Sequence, residues 1–156
     1  MAMKKVLVAL FAFAALAFAG LGSAQKYGLY SGYPGGIGGM IFFDNLRLSV
    51  GLPFWYGFGI EGGVDMMLGQ GALSKEQPLS YYYGAGADAA FYAGYLGYSA
   101  FGFDVHGLGG IVYKFSDSMG FFGEALLGVG YVGVTGCSGC SGFGPAYGAK
   151  VGLYFY

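Results

Sequence analysis

The sequence predicts an all-β protein: a single up-and-down antiparallel transmembrane β-barrel of about eight strands, preceded by an N-terminal signal peptide. Three observations lead there. Apolar and small or polar residues alternate with period two through segment after segment. Within those segments every charge falls on one parity, and its companions there are mostly glycine, alanine and serine. The chain is also 56% apolar and 10% charged, with 34 glycines, whereas soluble domains are about 25% charged and about 7% glycine.

The first element is the export signal. Lys4 and Lys5 precede an apolar run from Val6 to Ala19, and Gly22-Ser23-Ala24 supplies the small residues of a cleavage site. Residues 1–24 are therefore assigned to a cleaved signal peptide and residues 25–156 to one barrel domain. The competing reading is an uncleaved membrane anchor, for which the run is near the lower length limit. No later stretch is long and apolar enough for a membrane helix, because glycines and single charges interrupt each one. An exported chain this apolar has two outlets for its surface: a large soluble core, or lipid contact through strands, where only every second residue must be apolar.

Breaker residues divide the barrel domain into strands at 26–31, 36–43, 46–54, 57–68, 79–92, 102–115, 120–134 and 144–156. The first two are cut by "SGYPGG" and Asp44-Asn45. In the third, Leu46, Leu48, Val50 and Leu52 oppose Arg47 and Ser49. Pro53 ends it, although alternation continues without a phase change and one long strand is the alternative. The fourth sets Phe58, Ile60, Val64, Met66 and Leu68 against Glu61 and Asp65. "GQGALSKEQP" is read as the turn before the fifth, where Tyr81, Tyr83 and Phe91 oppose Tyr82, Asp88 and Tyr92. In the sixth, Phe103, Val105, Ile111 and Tyr113 oppose Asp104, His106 and Lys114. The seventh sends Glu124 away from Phe121, Ala125, Leu127, Val129 and Tyr131. The eighth sets Lys150 against Tyr147, Val151, Leu153 and Phe155. A helical reading fails because glycines recur every few residues, each costing about 1 kcal/mol in a helix interior.

The run "YYYGAGADAAFY … FGFDVHGLGGIVYKFSDSMGFFGEALLGVGYVG … PAYGAKVGLYFY" resembles small bacterial outer-membrane β-barrel proteins of the eight-stranded, OmpA-like or OmpX-like kind. The likeness covers the last half of the chain well and residues 26–68 loosely. It implies residence in the bacterial outer membrane, contact with its lipids, and insertion by the barrel-assembly machinery. Such families end on an aromatic residue in phase with the lipid-facing positions; here Phe155 is in phase and Tyr156 lies one residue beyond.

An eight-stranded barrel is just wide enough for its own side chains. The inward charges Arg47, Glu61, Asp65, Asp88, Asp104, His106, Lys114, Glu124 and Lys150 are therefore expected to form a structural network. Up-and-down threading puts Arg47, Asp65, Lys114, Glu124 and Lys150 towards the periplasmic half, and Glu61, Asp88, Asp104 and His106 towards the outer half. The rival reading of the acidic cluster is a cation or proton site, against which stands the poor ligand spacing of a single histidine. Lumen-side glycines leave room for Tyr82, Tyr92, Phe122 and Tyr154.

No nucleophile–base pair is visible, so no enzyme is expected. No cofactor or metal is expected, and the absence of a basic patch argues against nucleic acid. Cys137 and Cys140 in an exported chain point to a small loop disulfide, with a redox or metal role as the alternative. Aromatics near strand ends, including Trp55, Tyr56, Tyr95 and Tyr98, read as interfacial girdles. The expected role is structural or surface-interacting, with outer loops that contact lipopolysaccharide or other envelope components. Two alternatives stay open: a narrow channel for small solutes or ions, and a soluble lipocalin-like barrel with the charges outside and an apolar ligand inside.

Overall fold

The computed structural model describes residues 26–54, 57–95, 98–137 and 139–156. The expected signal peptide, together with Trp55 and Tyr56, lies outside the described residues. Eight strands close into an antiparallel barrel in which each strand neighbours the next and β8 returns to β1. They are β1 Lys26–Tyr33, β2 Gly36–Phe43, β3 Leu46–Leu52, β4 Phe58–Ala72, β5 Leu79–Tyr95, β6 Tyr98–Lys114, β7 Met119–Val134 and β8 Gly142–Phe155. Closure removes the sheet edges that an open meander would expose.

Pro53 does end β3, and Gly59 N–H reaches back to its carbonyl at 3.0 Å. Strands β4, β5 and β6 are longer than their glycine-bounded predictions. Gly69 and Gly71, read from sequence as turn residues, pair with Tyr83 and Tyr81 in the ladder. The two tyrosine rings lie over the glycines, within 2.6 and 2.8 Å of where a Cβ would stand. Glycine here makes room for a cross-strand aromatic and does not break the strand. The loop proper is residues 73–78, and a bulge between Met67 and Gly69 absorbs one extra residue. The two-residue connection between β2 and β3 places Asp44 at φ 51°, a left-handed conformation that aspartate tolerates better than most residues.

The faces are those of a barrel turned inside out relative to a soluble one. Arg47, Asp65 and Lys150 are at most 1% exposed, whereas Leu127 is 70% and Val129 60% exposed. The lipocalin-like alternative required the reverse, charges outside and aromatics inside, and is overturned by this arrangement. Large inward residues fill gaps left by facing glycines. The Tyr82 ring occupies the space a Cβ on Gly110 would need, and Phe122 lies 2.7 Å from that position on Gly152. Phe122 stacks on Tyr154 with centroids 4.3 Å apart, and Phe42 meets Tyr154 edge-on at 5.2 Å. These rings floor the lumen at the end where β1 begins and β8 finishes.

The wall is uneven in height. Strands β1–β3 have 8, 8 and 7 residues, while β4–β8 have 14 to 17. Strand β1 supplies register partners only for Ala149–Phe155, so β8 from Gly142 to Gly148 rises past it. Val132, on the inward parity of β7, is accordingly 50% exposed. The barrel is filled and closed near the terminal end and open towards the far end.

Candidate functional site

The inward charges converge because period-two strands project them from all sides into one narrow space. Arg47 on β3 is the hub. Its Nε donates to Asp65 Oδ2 on the neighbouring β4 at 2.8 Å. Its Nη1 and Nη2 donate to the two oxygens of Glu124 at 2.6 and 2.9 Å. Glu124 is on β7, so this fork spans the barrel interior, and all three side chains are 0% exposed. Two parallel N–H···O⁻ bonds are the strongest pairing these groups form. The Tyr82 hydroxyl donates to Glu124 Oε2 at 2.8 Å, and the Tyr154 hydroxyl reaches Tyr82 at 3.4 Å.

His106 links this lower layer to the upper one. Its Nε2 lies 3.0 Å from Asp65 Oδ1 and its Nδ1 2.6 Å from Asp104 Oδ1. A ring bonded to a carboxylate at each nitrogen is best satisfied as the imidazolium, with both nitrogens donating. Lys150 Nζ stands 3.6 Å from Asp88 Oδ2. Asp88 and Asp104 are direct register partners on β5 and β6, both facing inward. Glu61 is buried in the same upper region, diagonal to Asp88, which opposes Gly63 two residues along β4.

Eight of the nine charges read from the sequence thus lie in the lumen as one connected or adjacent set. Lys114 is different. It sits half-buried at the end of β6, with Nζ 5.0 Å from the Tyr156 ring centroid. Among the described residues no carboxylate lies within ion-pair distance of it. Its parity was inward as read, but it stands beyond the last inward carboxylate, a matter of height that alternation does not encode. Tyr156 follows β8 without extending it; its N–H bonds Ser118 O at 3.0 Å and its ring serves as a cap.

Lys26 is a functional neighbour that the sequence reading passed over. Its Nζ lies 3.6 Å from the Tyr154 centroid, 4.7 Å from Phe42 and 5.0 Å from Tyr156, an aromatic cage at the terminal end. The signal available was its inward parity two residues before Gly28. Cys137 and Cys140 are joined in a disulfide in the segment between β7 and β8.

No protein-family model matches the chain, and no curated protein matches it. A crystal structure of CarO from Acinetobacter baumannii is similar in part. It is 14% identical, with 85% of this chain and 97% of that chain covered, at a TM-score of 0.43.

Proposed function

We propose that this chain is an integral protein of the bacterial outer membrane, with a structural or surface-interacting role and a lumen sealed by its own side chains. One observation carries the reading: the barrel holds eight of its inward charges in the lumen and exposes aliphatic or aromatic side chains on the outer face of every strand. Leu29, Leu68, Val105, Leu127 and Val151 are each at least 50% exposed. Water penalises such a surface by about 25 cal/mol per Å² of apolar area, and lipid does not. The closed ladder satisfies the backbone inside a bilayer, where no water can. Outer-membrane lipids are then the main partner, lipopolysaccharide the expected contact of the outer loops, and the barrel-assembly machinery the route of insertion.

The Arg47–Glu124 fork crosses the lumen and weighs against a solute channel, because a path would have to break charge-assisted bonds between fully buried groups. Cell fractionation with unboiled and boiled electrophoresis tests the location. Outer-membrane recovery with a heat-dependent mobility shift is the expected result; recovery in the soluble periplasm without detergent sinks the proposal. Planar-bilayer recording tests the seal, and steady conductance by the wild-type barrel would count against it.

A further inference from the structure

The upper lumen holds more negative charge than its own cations neutralise. The buried cations Arg47, His106 and Lys150 face Glu61, Asp65, Asp88, Asp104 and Glu124. Arg47 is committed to Asp65 and Glu124, and His106 to Asp65 and Asp104. Lys150 approaches Asp88 only through Oδ2. Among the described residues, two carboxylate oxygens remain buried with no hydrogen-bond partner, Asp88 Oδ1 and Glu61 Oε1. Their residues are only 8% and 3% exposed. Asp88 also faces Asp104 directly across the β5–β6 ladder, a like-charge pairing that destabilises a sheet unless something neutralises it.

We infer that the upper lumen binds a hard divalent cation of the calcium class, with Asp88 and Asp104 as its principal ligands and Glu61 as the third carboxylate. Ligand atoms of Asp88, Asp104 and His106 all lie within 4.8 Å of one another, a spacing one ion can bridge. Glu61 lies outside that close group, its Oε1 now over Gly35, but it is a diagonal neighbour of Asp88, about 7–8 Å away at the backbone, a distance a glutamate side chain covers on turning towards a bound ion. The donors are oxygens, which suits calcium and its tolerance of irregular geometry. Both nitrogens of His106 are already engaged, so a metal that prefers imidazole would have to break one of these bonds to a carboxylate first. Access comes from the far end, where the Asp104 side chain keeps 22% of its surface exposed. A divalent ion here offsets the excess charge and gives Asp88 Oδ1 and Glu61 Oε1 the partner they lack.

The test uses the folded full-length mature barrel in detergent, with terbium as the calcium surrogate and tyrosine-sensitised luminescence as readout. A saturable signal displaced by calcium is expected. Asp88→Asn and Glu61→Gln should each weaken calcium competition at least about tenfold, since ligand charge sets affinity at such sites. Glu76→Gln, in the exposed loop between β4 and β5, should leave it unchanged. Folding of each variant is checked by the heat-dependent mobility shift, and should Asp88→Asn fail that check, Glu61→Gln decides. No saturable calcium-displaceable signal from the wild type overturns the inference, as does full retention of the signal by the folded carboxylate variants. The first of these outcomes would mean that protons or water alone satisfy the two oxygens.

Discussion

Removing both halves of the cross-barrel fork should cost far less than the two single removals added together. Arg47→Met leaves Glu124 and Asp65 buried, with Asp65 still held by His106 and Glu124 by the Tyr82 hydroxyl. Removing one partner of a buried pair costs about 3–5 kcal/mol, and two abandoned carboxylates place Arg47→Met near the top of that range. Glu124→Gln leaves Arg47 its bond to Asp65 and preserves an acceptor for Tyr82, so about 3 kcal/mol is expected. No discount for solvent screening applies, because both side chains are 0% exposed. The double variant, Arg47→Met with Glu124→Gln, removes the guanidinium together with the carboxylate most dependent on it. Its cost should be about 2–4 kcal/mol, well below the summed singles, giving a coupling of at least about 2 kcal/mol. Urea titration of the barrel in phospholipid micelles, followed by circular dichroism, measures all three. Strict additivity, or single variants within about 0.5 kcal/mol of wild type as at an ordinary surface site, would refute the assignment of this fork as the hub.

Other positions follow from the same geometry. Tyr82→Phe removes one donor to Glu124 while the Arg47 fork remains, so a loss of about 1.5 kcal/mol is expected in the same titration. Leu127→Arg places a charge on the outward face of β7 and should destabilise the barrel by about 2–4 kcal/mol in a bilayer; neutrality in lipid vesicles would contradict a lipid-facing position. Gly128→Val should cost about 1–3 kcal/mol, because a Cβ there meets the Val105 carbonyl and comes within 2.7 Å of His106 Cα. By contrast, Gly109→Ala adds a methyl where nothing lies within 4 Å and should be neutral or slightly stabilising in the heat-shift assay. Cys137→Ser opens only a small loop beyond β7, so the mobility shift should persist and the change should register as faster proteolysis of that loop.

Much of the fold was legible because a two-residue period leaves a direct mark on a sequence. Arg47 and Ser49 against Leu48 and Val50 is enough to say which way each side chain of β3 points. Strand length was less legible, since glycine carries two meanings. At Gly36, with φ 65°, it marks a turn. At Gly69 and Gly71 it makes space under tyrosine rings in an unbroken ladder. The site was legible as a list of inward residues and not as a set of partners. Whether Arg47 meets Glu124 depends on how β3 and β7 face each other across the closed barrel, which emerges only once every register is set. The same dependence separates Lys114 from the network, and it hid Lys26, whose cage is assembled from β2, β8 and the chain terminus.

The unequal heights of the strands bear on the lipid around the protein as much as on its interior. A strand of 8 residues, the longest among β1–β3, rises about 3.3 Å per residue and, tilted by about 45°, covers roughly 19 Å of membrane thickness. The apolar band of an outer-membrane barrel is about 25 Å tall. Strands of 17 residues in β5 and β6 exceed that height with ease. Placed in a bilayer, the molecule therefore matches the membrane on one flank and falls short on the other. Lipid tails beside β1–β3 must shorten or splay, or the whole barrel must lean towards its low side. Either response gives the surrounding leaflet a direction, so neighbouring barrels would sense this protein through a one-sided dip in the membrane before any protein contact is made.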